Sequence, residues 1–291
     1  MERMTTFFYL DKYKRRERKK MIKLIATDVD GTLVVDGSGS LNPEYFPVIR
    51  SLLEKGIVFV VASGRAESSI ENIMKPIVDD IIMIAEGGSY VSFRGEELES
   101  HPIPIEVVRE LIVDIRALKE CEVMINGVKQ CYVETKDETF LKWIVEDYHF
   151  NVQQVEDLLE IEEEIVKVSI YHKTDATKIA TPTFLPKWEN RLHVASAGNE
   201  WIDCVMPGVN KGTALCKLQK QYGITKEETM VFGDNINDLE MLGEATYSFA
   251  VENAREEVKE KANYITDSNR NHGVLKVLKQ VLAKIEEKER A

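Results

Sequence analysis

The stretch Met21-Ile22-Lys23-Leu24-Ile25-Ala26-Thr27, followed at once by Asp28-Val29-Asp30-Gly31-Thr32-Leu33, decides how this chain is read. Its first seven residues are apolar apart from one Lys and show no alternation, the pattern of a strand buried on both faces of a parallel sheet. The run stops at Asp28. Two carboxylates two residues apart at a strand's carboxyl end can both face an open crevice once the chain leaves the extended form, and Gly31 permits the turn. A calcium loop fails on spacing, because an EF-hand has Gly at loop position 6 and Glu at 12, whereas here the Gly falls at 4 and position 12 is Gly39. On this motif alone, a chance polar turn stays open as the alternative.

Outward from this strand, Asn42 and Pro43 supply an N-cap and first helical position for a helix closed by Lys55 and Gly56. Ile57 to Ala62 (IVFVVA) reads as a second buried strand, about Ala66 to Lys75 as a helix, and Ile81 to Glu86 (IIMIAE) as a third strand. Such a βαβαβ unit has right-handed crossovers and gathers its ligands at the strands' carboxyl ends. Between about Pro102 and Met206 the order becomes helix, two strands, helix, strand, helix, strand, helix and two strands, an alternation that can form its own small α/β layer. The prolines of TPTFLPK (181–187) are expected to break a helix there or shift its start. The βα pattern then resumes with a helix over Lys211 to Tyr222 closed by Gly223, the strand ETMVF, a helix after Asn235, the strand YSFAV and a terminal amphipathic helix from about His272. The fold class expected is α/β: a Rossmann-like, doubly wound, mostly parallel sheet over 21–101 and 207–291, carrying an inserted α/β cap over 102–206. Residues 1–20 read as a dispensable basic extension.

Composition bounds the function. At 291 residues the chain exceeds a single domain of roughly 100 to 150 residues. No apolar run reaches the roughly 18 residues that a membrane span needs. Cys121, Cys131, Cys204 and Cys216 form no CxxC pair and sit in apolar patterns, so reduced buried thiols in a cytoplasmic protein are expected, not a disulfide or zinc framework. The net charge is −12 overall, and +5 on residues 1–20 leaves −17 on 21–291. An acidic body argues against a nucleic-acid partner. It also opposes any anionic substrate, whose binding must come from local positive features.

Three further segments carry candidate chemistry. Ser63-Gly64-Arg65, at the end of the second strand, offers a hydroxyl and backbone N–H groups at a helix start, a neutral niche for an oxyanion, though an N-cap turn would look the same. Asn210-Lys211-Gly212-Thr213 places a cation at a helix N-terminus, against the dipole, so Lys211 is expected to point at a stronger negative charge. It is not a P-loop, since the G-x-x-x-x-G-K-[ST] spacing is absent. Gly233-Asp234-Asn235-Ile236-Asn237-Asp238 offers two carboxylates and two amides in one βα turn, the hard oxygen donors that Mg²⁺ prefers. All four segments fall at the carboxyl end of an expected strand or in the turn that follows.

These segments, in this order, resemble the four motifs of the haloacid dehalogenase superfamily, and DVDGTL with GDNINDLEML resembles its Cof-like sugar-phosphatase branch. The similarity spans 21–291 and includes the insert. The resemblance implies that Asp28 is a nucleophile, Asp30 a general acid and base, and Ser63 and Gly64 a phosphoryl-binding loop. It further implies that Lys211 holds Asp28 and phosphate together, and that Mg²⁺ is held by Asp28, the Asp30 carbonyl and Asp234. Asp238 would support the metal or Lys211, and Asn237 would touch the phosphate. Asp30 would need its pKa raised by neighbouring carboxylates to serve as an acid. The chain departs from the family's usual Glu-Asn-Gly at Glu86-Gly87-Gly88, which would remove a side-chain contact near the substrate; Asp267-Ser268-Asn269 either borders the site or is a plain loop. The expected activity is Mg²⁺-dependent hydrolysis of a small phosphorylated metabolite, with no membrane or nucleic-acid partner. The competing expectations are a phosphosugar mutase or phosphotransferase, and a metal-binding regulatory module without turnover. Dehalogenation is disfavoured, because a halide leaving group needs neither proton nor metal.

Overall fold

The computed structural model describes residues 21–35, 40–128, 130–146, 150–196 and 199–290; the extension at 1–20 lies outside the described residues. The opening strand β1 (Leu24–Thr27) is completely buried. Its ladder starts one residue earlier than the strand itself, since the Lys23 carbonyl accepts the Val58 N–H at 2.8 Å. On one side β1 pairs in parallel with β2 (Val58–Ala62), which pairs with β3 (Ile82–Ala85). Beyond β3 an antiparallel hairpin, β4 (Tyr90–Phe93) and β5 (Glu96–Ser100), extends the sheet. Its tight turn places Arg94 and Gly95 at positive φ, the geometry of a two-residue hairpin loop.

On the other side of β1 lie β12 (Thr229–Gly233), β13 (Tyr247–Val251) and β14 (Tyr264–Thr266), all parallel. The sheet order is therefore β14-β13-β12-β1-β2-β3-β4-β5, with β1 at its centre. Helices α1 (Tyr45–Glu54), α2 (Glu67–Met74), α7 (Lys211–Tyr222), α8 (Leu239–Gly243), α9 (Glu256–Lys261) and α10 (Gly273–Arg290) wrap this sheet, with α1 packed on α10 and α7 on α8. Helix α1 begins later than Asn42 and Pro43 suggest. The Asn42 side chain accepts the Glu44 N–H at 3.0 Å and so makes a turn ahead of the helix, an alternative Asn offers readily.

Residues 103–205 build the second sheet: β6 (Glu122–Gly127), β7 (Cys131–Val133), β8 (Val152–Gln154), β9 (Ile165–Tyr171), β10 (His193–Ser196) and β11 (Trp201–Val205), in the order β10-β11-β9-β6-β7-β8. Period-two alternation gives it two distinct faces. Ile125, Val168, Ile170, Ile202 and Cys204 pack under α3 (Ile105–Arg116), α5 (Ala176–Ala180) and α6 (Leu185–Trp188). Met124, Asn126, Lys167, Ser169 and Asp203 belong to the opposite face. There the Asn126 and Lys167 side chains bond to Glu86 just beyond β3, so this face meets the first sheet where its strands end. TPTFLPK does break its helix, since α5 stops at Ala180 and α6 starts at Leu185. The segment between β8 and β9 holds only a 3₁₀ turn at Leu158–Glu160 in place of the expected helix. Among the described residues, no helix is long and apolar enough to cross a membrane.

Candidate active site

Helix α7 starts as its sequence dictates. The Asn210 side chain accepts the Thr213 N–H at 2.8 Å and the Thr213 hydroxyl accepts the Asn210 N–H at 3.1 Å, a reciprocal cap that fixes Lys211 as the first helical residue. Gly212 lets this end approach α8, because a Cβ there would lie 2.5 Å from the Glu240 backbone. Lys211 is thereby driven under the sheet's edge and buried, its side chain 1% exposed. Its Nζ donates to Asp28 Oδ1 at 2.5 Å and to Asp238 Oδ1 at 2.8 Å. Burial alone would push this ammonium toward neutrality; the Asp238 and Asp28 carboxylates overcome that and hold it well above its ordinary range.

Asp28 and Asp238 are buried with Lys211. Burial raises Asp28 to about 7, the Asp238 charge adds to the rise, and Lys211 opposes it. The other oxygen of Asp238 accepts the backbone N–H groups of Asp234 (3.0 Å) and Asn235 (3.1 Å), so this carboxylate shapes the turn after β12 as well as pairing the lysine. Asp234 lies over the DVDGTL turn: Thr32 Oγ1 donates to it at 2.6 Å, and a Cβ on Gly31 (φ 76°) would fall 2.3 Å from its Oδ2. Oxygens of Asp28, Asp234 and Asp238 lie within 4.8 Å of one another. Three converging carboxylates, a set of hard oxygens beside one ammonium, match what a divalent cation such as Mg²⁺ requires.

Asp30 has a partner that the sequence reading did not name. Its two oxygens are gripped by the Arg65 guanidinium, Nε at 2.7 Å and Nη2 at 2.6 Å, a bidentate fork from the end of β2. Ser63 is buried, with its Oγ accepting the Arg65 N–H at 3.1 Å. Asn237 is half-buried on the cavity wall, its Oδ1 without a hydrogen-bond partner among the described residues. Asn269 turns out to brace the site, so the loop before α10 is no plain connection. Its Nδ2 donates to the Val34 carbonyl at 3.0 Å, while its N–H holds the Asn253 side chain, whose Nδ2 donates to the Gly31 carbonyl at 2.7 Å.

The four motif segments thus meet along one sheet edge, around a cavity of about 480 Å³. Asp28, Asp30, Ser63, Gly64, Asp234 and Asn237 line it from the first sheet, while Lys211 lies behind Asp28. Residues of the insert cover it, among them the polar Lys167, Ser169 and Asp203 and the apolar Met124, Phe150 and Trp201. Arg65 was visible within Ser-Gly-Arg but had no partner that sequence could name. The covering residues gave no local signal, because only the strand alternation of the insert places them.

A profile of the haloacid dehalogenase-like hydrolases matches residues 25–278. The chain belongs to this family. Within it, the chain is 30% identical over 269 residues to the 5-amino-6-(5-phospho-D-ribitylamino)uracil phosphatase of Escherichia coli (strain K12), covering 90% of this chain and 96% of that protein. A Bacillus subtilis (strain 168) phosphatase of the same description is 26% identical over 260 residues, covering 89% and 95%. A crystal structure from Eubacterium rectale, 38% identical, superimposes with a TM-score of 0.80 over 90% of this chain and 99% of its own. This haloacid dehalogenase-like hydrolase is a Cof-like phosphatase acting on phosphoric monoesters.

Proposed function

We propose that the protein hydrolyses small phosphorylated metabolites with Mg²⁺ bound, through a transient aspartyl-phosphate, an acyl phosphate, on Asp28. The observation that carries this reading is the buried Lys211 ammonium bonded to Asp28 and Asp238, directly behind a cavity that Asp28 and Asp234 line. Asp28 attacks phosphorus as the bond to the leaving oxygen breaks, and Asp30 gives that oxygen its proton. Asp30 then takes a proton from a water that attacks the same phosphorus, and the bond to Asp28 breaks. Ser63, the Gly64 and Arg65 N–H groups and Lys211 bind the phosphoryl oxygens, while Asp238 holds Lys211 in place. Mg²⁺ held by Asp28, Asp234 and the Asp30 carbonyl would neutralise charge on the transferring group and favour the ionised form of Asp28.

Residues 102–206 act as a cap that excludes water and reads the leaving group. A cavity lined by the polar Ser169 and Asp203 together with the apolar Met124, Phe150 and Trp201 suits a phosphorylated polyol joined to a planar ring. Such a compound appears in the names of the Escherichia coli and Bacillus subtilis relatives. Free thiols at Cys121, Cys131, Cys204 and Cys216 fit a reducing, cytoplasmic setting, and the acidic body makes nucleic acid a poor partner. A metabolite panel with Mg²⁺ tests this: 5-amino-6-(5-phospho-D-ribitylamino)uracil should exceed simple sugar phosphates in kcat/KM, and Asp28→Asn should abolish turnover of both. Full activity in Asp28→Asn would refute the nucleophile.

A further inference from the structure

The loop that receives the phosphoryl group is held at three successive carbonyls. The Ser63 carbonyl accepts the Gly87 N–H at 2.9 Å, and the Arg65 carbonyl accepts the Glu86 N–H at 3.0 Å. Both donors belong to the turn after β3, where Glu86 sits at a positive φ of 51°, an uncommon conformation for a residue with a side chain. The middle carbonyl, that of Gly64, is held by a residue of the cap: Lys167 Nζ donates to it at 2.6 Å. A trans peptide points its N–H opposite to its C=O. The Gly64 carbonyl, turned toward Lys167, therefore leaves the Arg65 N–H on the opposite side of the peptide, where it donates to Ser63 Oγ at 3.1 Å.

Lys167 is held in place. Its side chain is 3% exposed, its Nζ reaches Gly64 O and Glu86 Oε2 at 2.6 and 2.7 Å, and Asp203 Oδ2 lies 3.4 Å away as a further ion-pair partner. The partners are anchored in turn. Asn126 Nδ2 donates to both Glu86 oxygens at 3.0 and 2.9 Å, and Ser169 Oγ donates to Asp203 Oδ1 at 2.7 Å. Burial would push the lysine toward neutrality, but the Asp203 and Glu86 carboxylates hold it above its ordinary value, so it stays an ammonium.

We infer that Lys167 is a positioning residue for phosphoryl transfer: by holding the Gly64 carbonyl, the cap orients the Gly64–Arg65 peptide so that its N–H faces the phosphoryl oxygens. Without that donor the peptide can turn over and present a carbonyl oxygen to an anion, which repels it. The ammonium also polarises the peptide it binds and strengthens the opposite N–H as a donor. The phosphate site is thus complete only while the cap is seated, and a buried ion pair suits a contact that must break and reform, since desolvation offsets much of its attraction.

The inference rests on the phosphatase reading of the site, and the test separates the two. Binding of radiolabelled inorganic phosphate in Mg²⁺ buffer is measured for wild type, Lys167→Met and Lys167→Arg, with kcat and KM for an aryl phosphate. Lys167→Met should bind phosphate about tenfold more weakly and lose about 100-fold in kcat, since the donor matters most in the transition state. Lys167→Arg, which keeps a cationic donor near Gly64, should recover binding to within about threefold. Thiol labelling checks the fold: Cys204 lies inside the cap core and must stay protected. Wild-type phosphate binding by a folded Lys167→Met overturns the inference. If Lys167→Met does not fold, a folded Lys167→Arg that loses binding tenfold overturns it instead. Failure of the wild type to bind phosphate would strike the phosphatase reading and not the role of Lys167.

Discussion

Lys211 Nζ lies 2.5 Å from Asp28 Oδ1, although 183 positions separate them, and both side chains are buried. The contact joins the start of α7 to the end of β1 and is shared with Asp238, so one ammonium compensates two carboxylates. Removing it leaves two buried like charges facing each other. Lys211→Met should destabilise the protein by about 3 kcal/mol in urea unfolding and eliminate turnover; a variant as stable as wild type would show that the two carboxylates do not depend on this cation.

Gly31 has a second role beyond its positive φ, because a methyl group there would occupy the space of the Asp234 carboxylate. Gly31→Ala should therefore shift Asp234 and weaken Mg²⁺ about 10- to 100-fold, read as the Mg²⁺ concentration for half-maximal activity. An unchanged Mg²⁺ requirement would remove Asp234 from the metal site.

Away from the site, Glu228 ties the first strand to the turn before β12. Lys23 Nζ lies 2.8 Å from it and the Thr225 N–H donates to it at 3.1 Å. These contacts, Lys23 first, lower its carboxyl from 4.5 to about 2. A carboxyl with a depressed folded pKa adds stability that is fully present above the unfolded value and is lost as pH falls through the folded one. Glu228→Gln should flatten the decline in urea midpoint between pH 4.5 and about 2, and leave a constant offset above that window. A parallel decline in both proteins would contradict this.

How much of this was legible in sequence follows from range. The start of α7 at Lys211, its close at Gly223 and the strand YSFAV were readable, because caps and buried runs are local signals. So was the convergence of DVDGTL, Ser63, Lys211 and the GDNIND turn, since strand ends of an open sheet share an edge. The hairpin β4–β5, helix α9 and strand β14 were not read: SYVSFRGEELES pairs only because β3 offers an edge, and β14 has three residues. The Arg65 fork on Asp30 and the reach of Lys167 into the phosphate loop depend on how two sheets meet, and neither spacing nor periodicity encodes that.

The central claim is that phosphorus passes through Asp28, and trapping it tests this most directly. Asp30→Asn should slow release of the intermediate, and p-nitrophenyl phosphate needs no proton for its departing group, so the first step can proceed without Asp30. After acid quench of that variant with radiolabelled substrate and Mg²⁺, the label should sit on the peptide containing Asp28, approach one per chain, and be released by hydroxylamine. Release of labelled phosphate with no protein-bound label at any time would contradict it.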